Sequence, residues 1–152
     1  HLQTNKVKQV VGKVDLIQSV DRHKLLQCIQ AEAARQGIVQ DILLEVNVGG
    51  EEAKSGFAPE EVEEAVRYAR TLPHISLRGL MTIPPIAVEQ GANIPYFERI
   101  HALFVDIGEK MYDNKWEYIS MGMSDDYAEA VRCGANMVRV GSAIFGARNY
   151  TK

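Results

Sequence analysis

An α/β fold built on parallel strands is the architecture this sequence predicts, and three observations predict it. Five apolar, strand-like runs alternate with helical patterns along the 152 residues. No repeat, low-complexity stretch or Pro/Gly/Ser-rich linker separates them, so residues 1–152 are expected to form a single domain. Polar residues fall on one face only of two of the strands, which favours a barrel wall over a sheet covered by helices on both sides.

The elements follow in order. A short helical stretch near Lys6–Gly12 precedes a first strand over Val14–Val20. A helix over Asp21–Gln36 follows, with Ser19 or Asp21 as N-cap and Gly37 as the stop. The second strand, Ile42–Val48, places Ile42, Leu44, Val46 and Val48 on one face and Leu43, Glu45 and Asn47 on the other. Pro59-Glu-Glu opens a helix to Thr71, with proline at the first position and acidic residues complementing the dipole. A strand over Ser76–Ile83, a helix over Ile94–Tyr112 and a strand over Tyr118–Met123 come next. Asp125-Asp126 are expected to cap a helix that reaches Cys133 and stops at Gly134. The last strand is expected over Met137–Phe145, with Val138 and Val140 on one face and Met137, Arg139 and Gly141 on the other.

Strict alternation of strand and helix means parallel βαβ units. A complete barrel of this type has eight strands and about 250 residues. Five strands therefore describe either an open sheet or the fourth to eighth strands of a (β/α)8 TIM barrel whose first three are absent. The chain opens on His1, directly into Leu-Gln-Thr-Asn-Lys, which reads as the interior of a longer product.

Composition narrows the function. With 46% hydrophobic and 24% charged residues this is an ordinary globular chain. A net charge of −3 argues against a nucleic-acid partner, which wants a basic face. No apolar run approaches the ~20 residues of a membrane-spanning helix. Cys28 and Cys133 lie far apart in helical stretches and read as reduced thiols of a cytoplasmic protein. The four histidines show no zinc spacing.

Chemistry concentrates in the last third. Ser120-Met-Gly-Met-Ser124 and Val138-Arg-Val-Gly-Ser142 each begin as an apolar run and end in small polar residues. Ser124, Gly141 and Ser142 thus bring hydroxyls and backbone N–H groups to neighbouring strand tips, a cup for a phosphate-bearing ligand. Ordinary strand-end turn chemistry is the alternative. Arg139, a charge inside an apolar run, requires a partner: a ligand, or an inward carboxylate such as Glu45.

These segments resemble a known family. His1-Leu-Gln-Thr-Asn-Lys6, Ile17-Gln-Ser-Val-Asp21, Glu45-Val-Asn-Val48 with Glu52-Ala-Lys-Ser-Gly56, Gly79-Leu-Met-Thr-Ile83, Ser120-Met-Gly-Met-Ser-Asp125 and Val138-Arg-Val-Gly-Ser-Ala-Ile-Phe-Gly146 are similar to the pyridoxal phosphate homeostasis proteins. Their fold is like the N-terminal barrel of alanine racemase. The resemblance implies a binder of pyridoxal 5′-phosphate (PLP) that carries or buffers the cofactor without established turnover, and PLP-dependent apo-enzymes as recipients. It implies that Arg139 faces the pyridine nitrogen, that Met81 lies against the ring, that Ser120 lines the pocket, and that Ser124, Gly141 and Ser142 hold the phosphate. The family's PLP-bearing lysine ends the first barrel strand, and no residue here matches it. Lys54 reads as a solvated loop lysine or as a secondary amine for PLP transfer. The other readings are a fragment of an alanine-racemase-type enzyme, which needs a second domain and its tyrosine, and a barrel piece that binds nothing. Open sheet edges near Val14–Val20 and Met137–Phe145 recruit other strands, so self-association, a noncovalent partner that supplies the missing strands, or a rearranged fold is expected.

Overall fold

Strand-forming runs and amphipathic helices settle into one parallel sheet with helices on a single face. The computed structural model describes residues 1–51, 54–87, 89–112 and 115–146. A 3-10 turn (Thr4–Lys6) and α1 (Val7–Val10) lead into β1 (Leu16–Val20). Then come α2 (His23–Gln36), β2 (Gln40–Glu45), α3 (Val62–Arg70), β3 (Ile75–Met81), α4 (Ile94–Tyr112), β4 (Tyr118–Met123), α5 (Tyr127–Arg132), β5 (Met137–Arg139) and α6 (Ser142–Phe145).

The five strands lie in the order β1-β2-β3-β4-β5, every pair parallel. A doubly wound sheet reverses its order at a switch point and so receives helices on both faces. This one never reverses, so successive crossovers advance the same way and cover one face. The result is an arc of barrel wall, which resolves the choice between open sheet and partial barrel in favour of the barrel. Among the described residues, β1 and β5 each pair on one side only.

Helix periodicity builds the outer layer. Leu25, Leu26, Ile29 and Ala33 of α2, and Val62, Ala65, Val66 and Ala69 of α3, recur at helical spacing and are buried. They join one core with Ile42, Leu44, Val46, Leu80, Ile119 and Met121, the helix-facing residues of β2, β3, β4 and the chain just beyond β2. Phe97, Trp116 and Tyr96 pack there too. Gly37 ends α2 in the left-handed region (φ 68°), its N–H reaching Ala33 and Ala34 carbonyls. Gly79 admits a close approach between β3 and β4: a Cβ there would lie 1.8 Å from the Tyr118 carbonyl oxygen.

Several expectations need correction. The final strand ends at Arg139 instead of Phe145. Beyond it the Ile144 and Phe145 N–H groups bond the Gly141 carbonyl, and those of Gly141 and Ala143 bond the Ser124 hydroxyl. Local hydrogen bonds thus turn an apolar run into α6. Neither Ser19 nor Asp21 caps α2, whose N-cap is Arg22 with no side-chain bond. The Asp21 carboxylate is taken instead by Arg22 at 2.7 Å and His1 at 2.9 Å. Asp126 stands at the N-cap of α5 without a side-chain bond to that helix. Its oxygens accept the Met123 N–H and the Asn93 amide, both at 2.7 Å, which ties the tip of β4 to the segment before α4.

Candidate functional site

Strand register assembles the inner face. Glu45 pairs with Met81, and Met81 with Ser120, so the three side chains stand in a row across β2, β3 and β4. Register partners one residue earlier, Leu44, Leu80 and Ile119, belong to the helix-covered core. Leu43 and Met81 are buried yet lie outside that core, as alternation onto the other face requires. The concave face of the arc therefore carries Glu45, Met81 and Ser120, and Arg139 completes it from β5.

Arg139 is held in place by two bonds. One Nη donates to Ser120 Oγ at 2.6 Å and the other to the Thr82 carbonyl at 2.8 Å. Ser120, fully buried, donates its hydroxyl hydrogen bond to Gln18 Oε1 at 2.7 Å, so the chain Gln18–Ser120–Arg139–Thr82 spans the arc from β1 to β5. Thr82 is anchored in turn by its hydroxyl on the Val46 carbonyl at 2.7 Å. Charge-assisted bonds of this kind fix a guanidinium plane better than contact alone. The direct Glu45–Arg139 pair is overturned: among the described residues no ion pair joins them. They act on each other through space. Burial lowers the Arg139 pKa, while Glu45 and then Asp126 oppose that shift. Burial and then the Asp21 charge push the Glu45 carboxyl upward, against the pull of the His1 α-ammonium and then of Arg139.

The two serine-bearing tips meet. Met123 is the register partner of Arg139, and one residue on, Ser124 Oγ accepts the Gly141 N–H at 3.1 Å and the Ala143 N–H at 3.2 Å. Ser142 lies exposed between those donors. A Cβ built on Gly141 would meet nothing within 4 Å, so there is room at that tip for a ligand's anionic end. Met81, 3% exposed, floors the face between Glu45 and Ser120. Lys54 is a partly exposed loop lysine that is also tethered. Its Nζ donates to the Pro84 carbonyl at 3.3 Å and pairs with Glu51 at 3.1 Å, joining the loops after β2 and β3. Glu52 and Ala53 of the same motif lie outside the described residues.

Gln18, Thr82 and Asn93 escaped the sequence reading. Gln18 interrupts the apolar run of β1, and Thr82 brings a hydroxyl to the end of β3; those were the available signals. Among the described residues, no group of three or more His, Cys, Asp or Glu could hold a metal, and no helix is long and apolar enough to cross a membrane.

The residues present fit a phosphorylated pyridine: a tethered cation on the face that carries the Met81 thioether, an open strand tip with the Ser124 hydroxyl, and one buried carboxylate oxygen, Glu45 Oε2, with no donor of its own. Comparison with known proteins agrees with this fold. The pyridoxal phosphate homeostasis protein of Aquifex aeolicus is 46% identical over 149 residues, which cover 98% of this chain and 65% of that protein. An unknown protein from Bifidobacterium adolescentis superposes with a TM-score of 0.89 at 36% identity, over 95% of this chain and 58% of that one. PipY of Synechococcus elongatus, solved with PLP bound, gives a TM-score of 0.84 at 26% identity, over 96% of this chain and 68% of PipY. The chain thus spans about two thirds of the length of the curated relatives it matches. The model of the alanine racemase N-terminal domain matches residues 1–149, and the chain belongs to that family.

Proposed function

We propose that residues 1–152 form one partial barrel domain of a PLP-binding homeostasis protein, a carrier or buffer of the cofactor. The observation that carries this is the fixed presentation of Arg139 on the concave face by Ser120 and Thr82, one strand tip from Ser124 and Gly141. In this reading Arg139 donates to the pyridine nitrogen, Met81 packs against the ring, and Ser120 lines the site while orienting the guanidinium. Ser124, Gly141 and Ser142 take the phosphate. Bound PLP supplies an aldehyde that condenses with amines and a ring that accepts electron density. An arginine always charged at the ring nitrogen keeps that nitrogen unprotonated, which weakens the electron sink and suits storage better than turnover. The relatives' names support the reading, and so does the PLP-bound state of PipY.

Titration with PLP, followed by absorbance and equilibrium dialysis, tests it. The unaltered chain is expected to bind, with inorganic phosphate competing. Arg139→Leu is expected to lose roughly thirtyfold in affinity, the size of one charge-assisted bond of about 2 kcal/mol. Equal affinity in the variant would sink the assignment. Alanine held with the loaded protein in deuterated water is expected to exchange at Cα no faster than with PLP alone.

A further inference from the structure

Among the described residues the polar groups around Arg139 are paired, and one carboxylate oxygen in the row beside them is not. Gln18 accepts from Ser120, Ser120 accepts from Arg139, and Arg139 donates to Ser120 and Thr82. Glu45 stands in the same row, 6% exposed, and its Oε2 is buried with no hydrogen-bond partner. A buried carboxylate oxygen without a donor is costly, and native structures rarely tolerate one unless something else supplies the proton. Two cations act on Glu45 through space, the His1 α-ammonium and Arg139; Arg139 is bound to Ser120 and Thr82, and among the described residues neither forms an ion pair with Glu45. Among the described residues no metal-ligating cluster includes Glu45. Two strand spacings, roughly 10 Å, separate the Glu45 and Ser120 strands, a span that one substituted aromatic ring can bridge above Met81.

We propose that Glu45 is a specificity-determining residue of this site, its orphaned Oε2 receiving a protonated primary amine carried by the ligand while Arg139 receives an acceptor at the ligand's far side. The site therefore prefers the amine form of a phosphorylated pyridine over analogues that bring no donor to that position. This inference rests on the PLP-site reading above and adds the ligand class to it. Its chemistry is binding alone: no bond is made or broken.

The test compares pyridoxamine 5′-phosphate with 4′-deoxypyridoxine 5′-phosphate, which has a methyl group where the other has an aminomethyl. Calorimetric titration of the unaltered chain is expected to give about tenfold or more tighter binding of the amine, as one charge-assisted hydrogen bond provides. Glu45→Gln is expected to bring the two within about twofold of each other, chiefly by weakening the amine, with circular dichroism confirming the fold. Equal affinities in the unaltered chain overturn the inference and leave the site reading standing. So does a preference that survives in Glu45→Gln. If neither compound binds, the site reading fails and the inference falls with it. Should the variant not fold, the ratio measured on the unaltered chain decides alone.

Discussion

The two faces of the sheet are made from the same strands and obey opposite rules. On the convex face Ile42, Leu44, Val46, Leu80, Ile119 and Met121 meet the apolar stripes of α2, α3 and α4. On the concave face, one residue along each strand, Glu45, Met81 and Ser120 stand in register and lead to Arg139. Burial is nearly as complete on both: Leu44 and Ser120 are each 0% exposed. What differs is the means of stabilisation. The convex face gains from area removed from water and from close packing, which are non-directional. The concave face depends on bonds that must each find a partner, and it leaves one buried oxygen without any. Stability is concentrated on one face and recognition on the other.

Substitution should separate the two. The largest effect is expected for Leu44→Ala, which opens a cavity in the convex core and should cost about 2–5 kcal/mol in urea unfolding. If the arc still folds, its affinity for PLP should be unchanged. Ser120→Ala, on the opposite face and two strands away, should cost less, roughly 1–3 kcal/mol, because it strips a partner from Gln18 and from Arg139 without opening a large void. Unlike Leu44→Ala, it should weaken PLP binding, since the guanidinium loses one of its two tethers. A Leu44→Ala protein that folds but fails to bind, or a Ser120→Ala protein that binds normally, would break the division of labour between the faces.

That division was partly written in the sequence. Alternation along Ile42–Val48 assigned its residues to the correct faces, because a buried strand under helices must keep one side apolar. Gly37 stopped α2 as expected, since a left-handed residue there favours glycine. The register that aligns Glu45, Met81 and Ser120 was not legible, because parallel pairing depends on crossover geometry and not on any local pattern. The Gln18–Ser120 bond joins residues 102 apart, and the acceptor at Thr82 is a backbone carbonyl that any residue would supply. The run from Val138 to Phe145 misled for a related reason. Its apolar composition suits a strand, but the bonds from Gly141 and Ala143 to Ser124, made across from another segment, end the strand and start a helical turn.

The smallest expected effect distinguishes the faces by sign. Glu32 lies on α2, on the helical layer, and Arg35, then Gln36, hold its carboxyl down from 4.5 to about 2. Between those values the unfolded chain binds the proton and the folded chain does not. The stability Glu32 contributes is therefore complete above the ordinary carboxylate range and is lost as pH falls toward 2. Glu45, on the concave face, runs the other way. Burial first, and the Asp21 charge second, raise its pKa above 4.5, so the folded chain holds the proton that the unfolded chain has released. Its contribution is complete below the ordinary range and is lost as pH climbs through the raised value. Urea midpoints across pH should thus show an acid-side loss that Glu32→Gln abolishes and a separate decline above pH 4.5 that Glu45→Gln abolishes. Pyridoxamine 5′-phosphate should also diminish the second decline, because an ammonium on Oε2 lets the buried carboxylate stay charged. A decline above pH 4.5 that persists in Glu45→Gln would mean that this carboxylate is already satisfied by the chain itself, and that the concave face holds no vacancy for a donor.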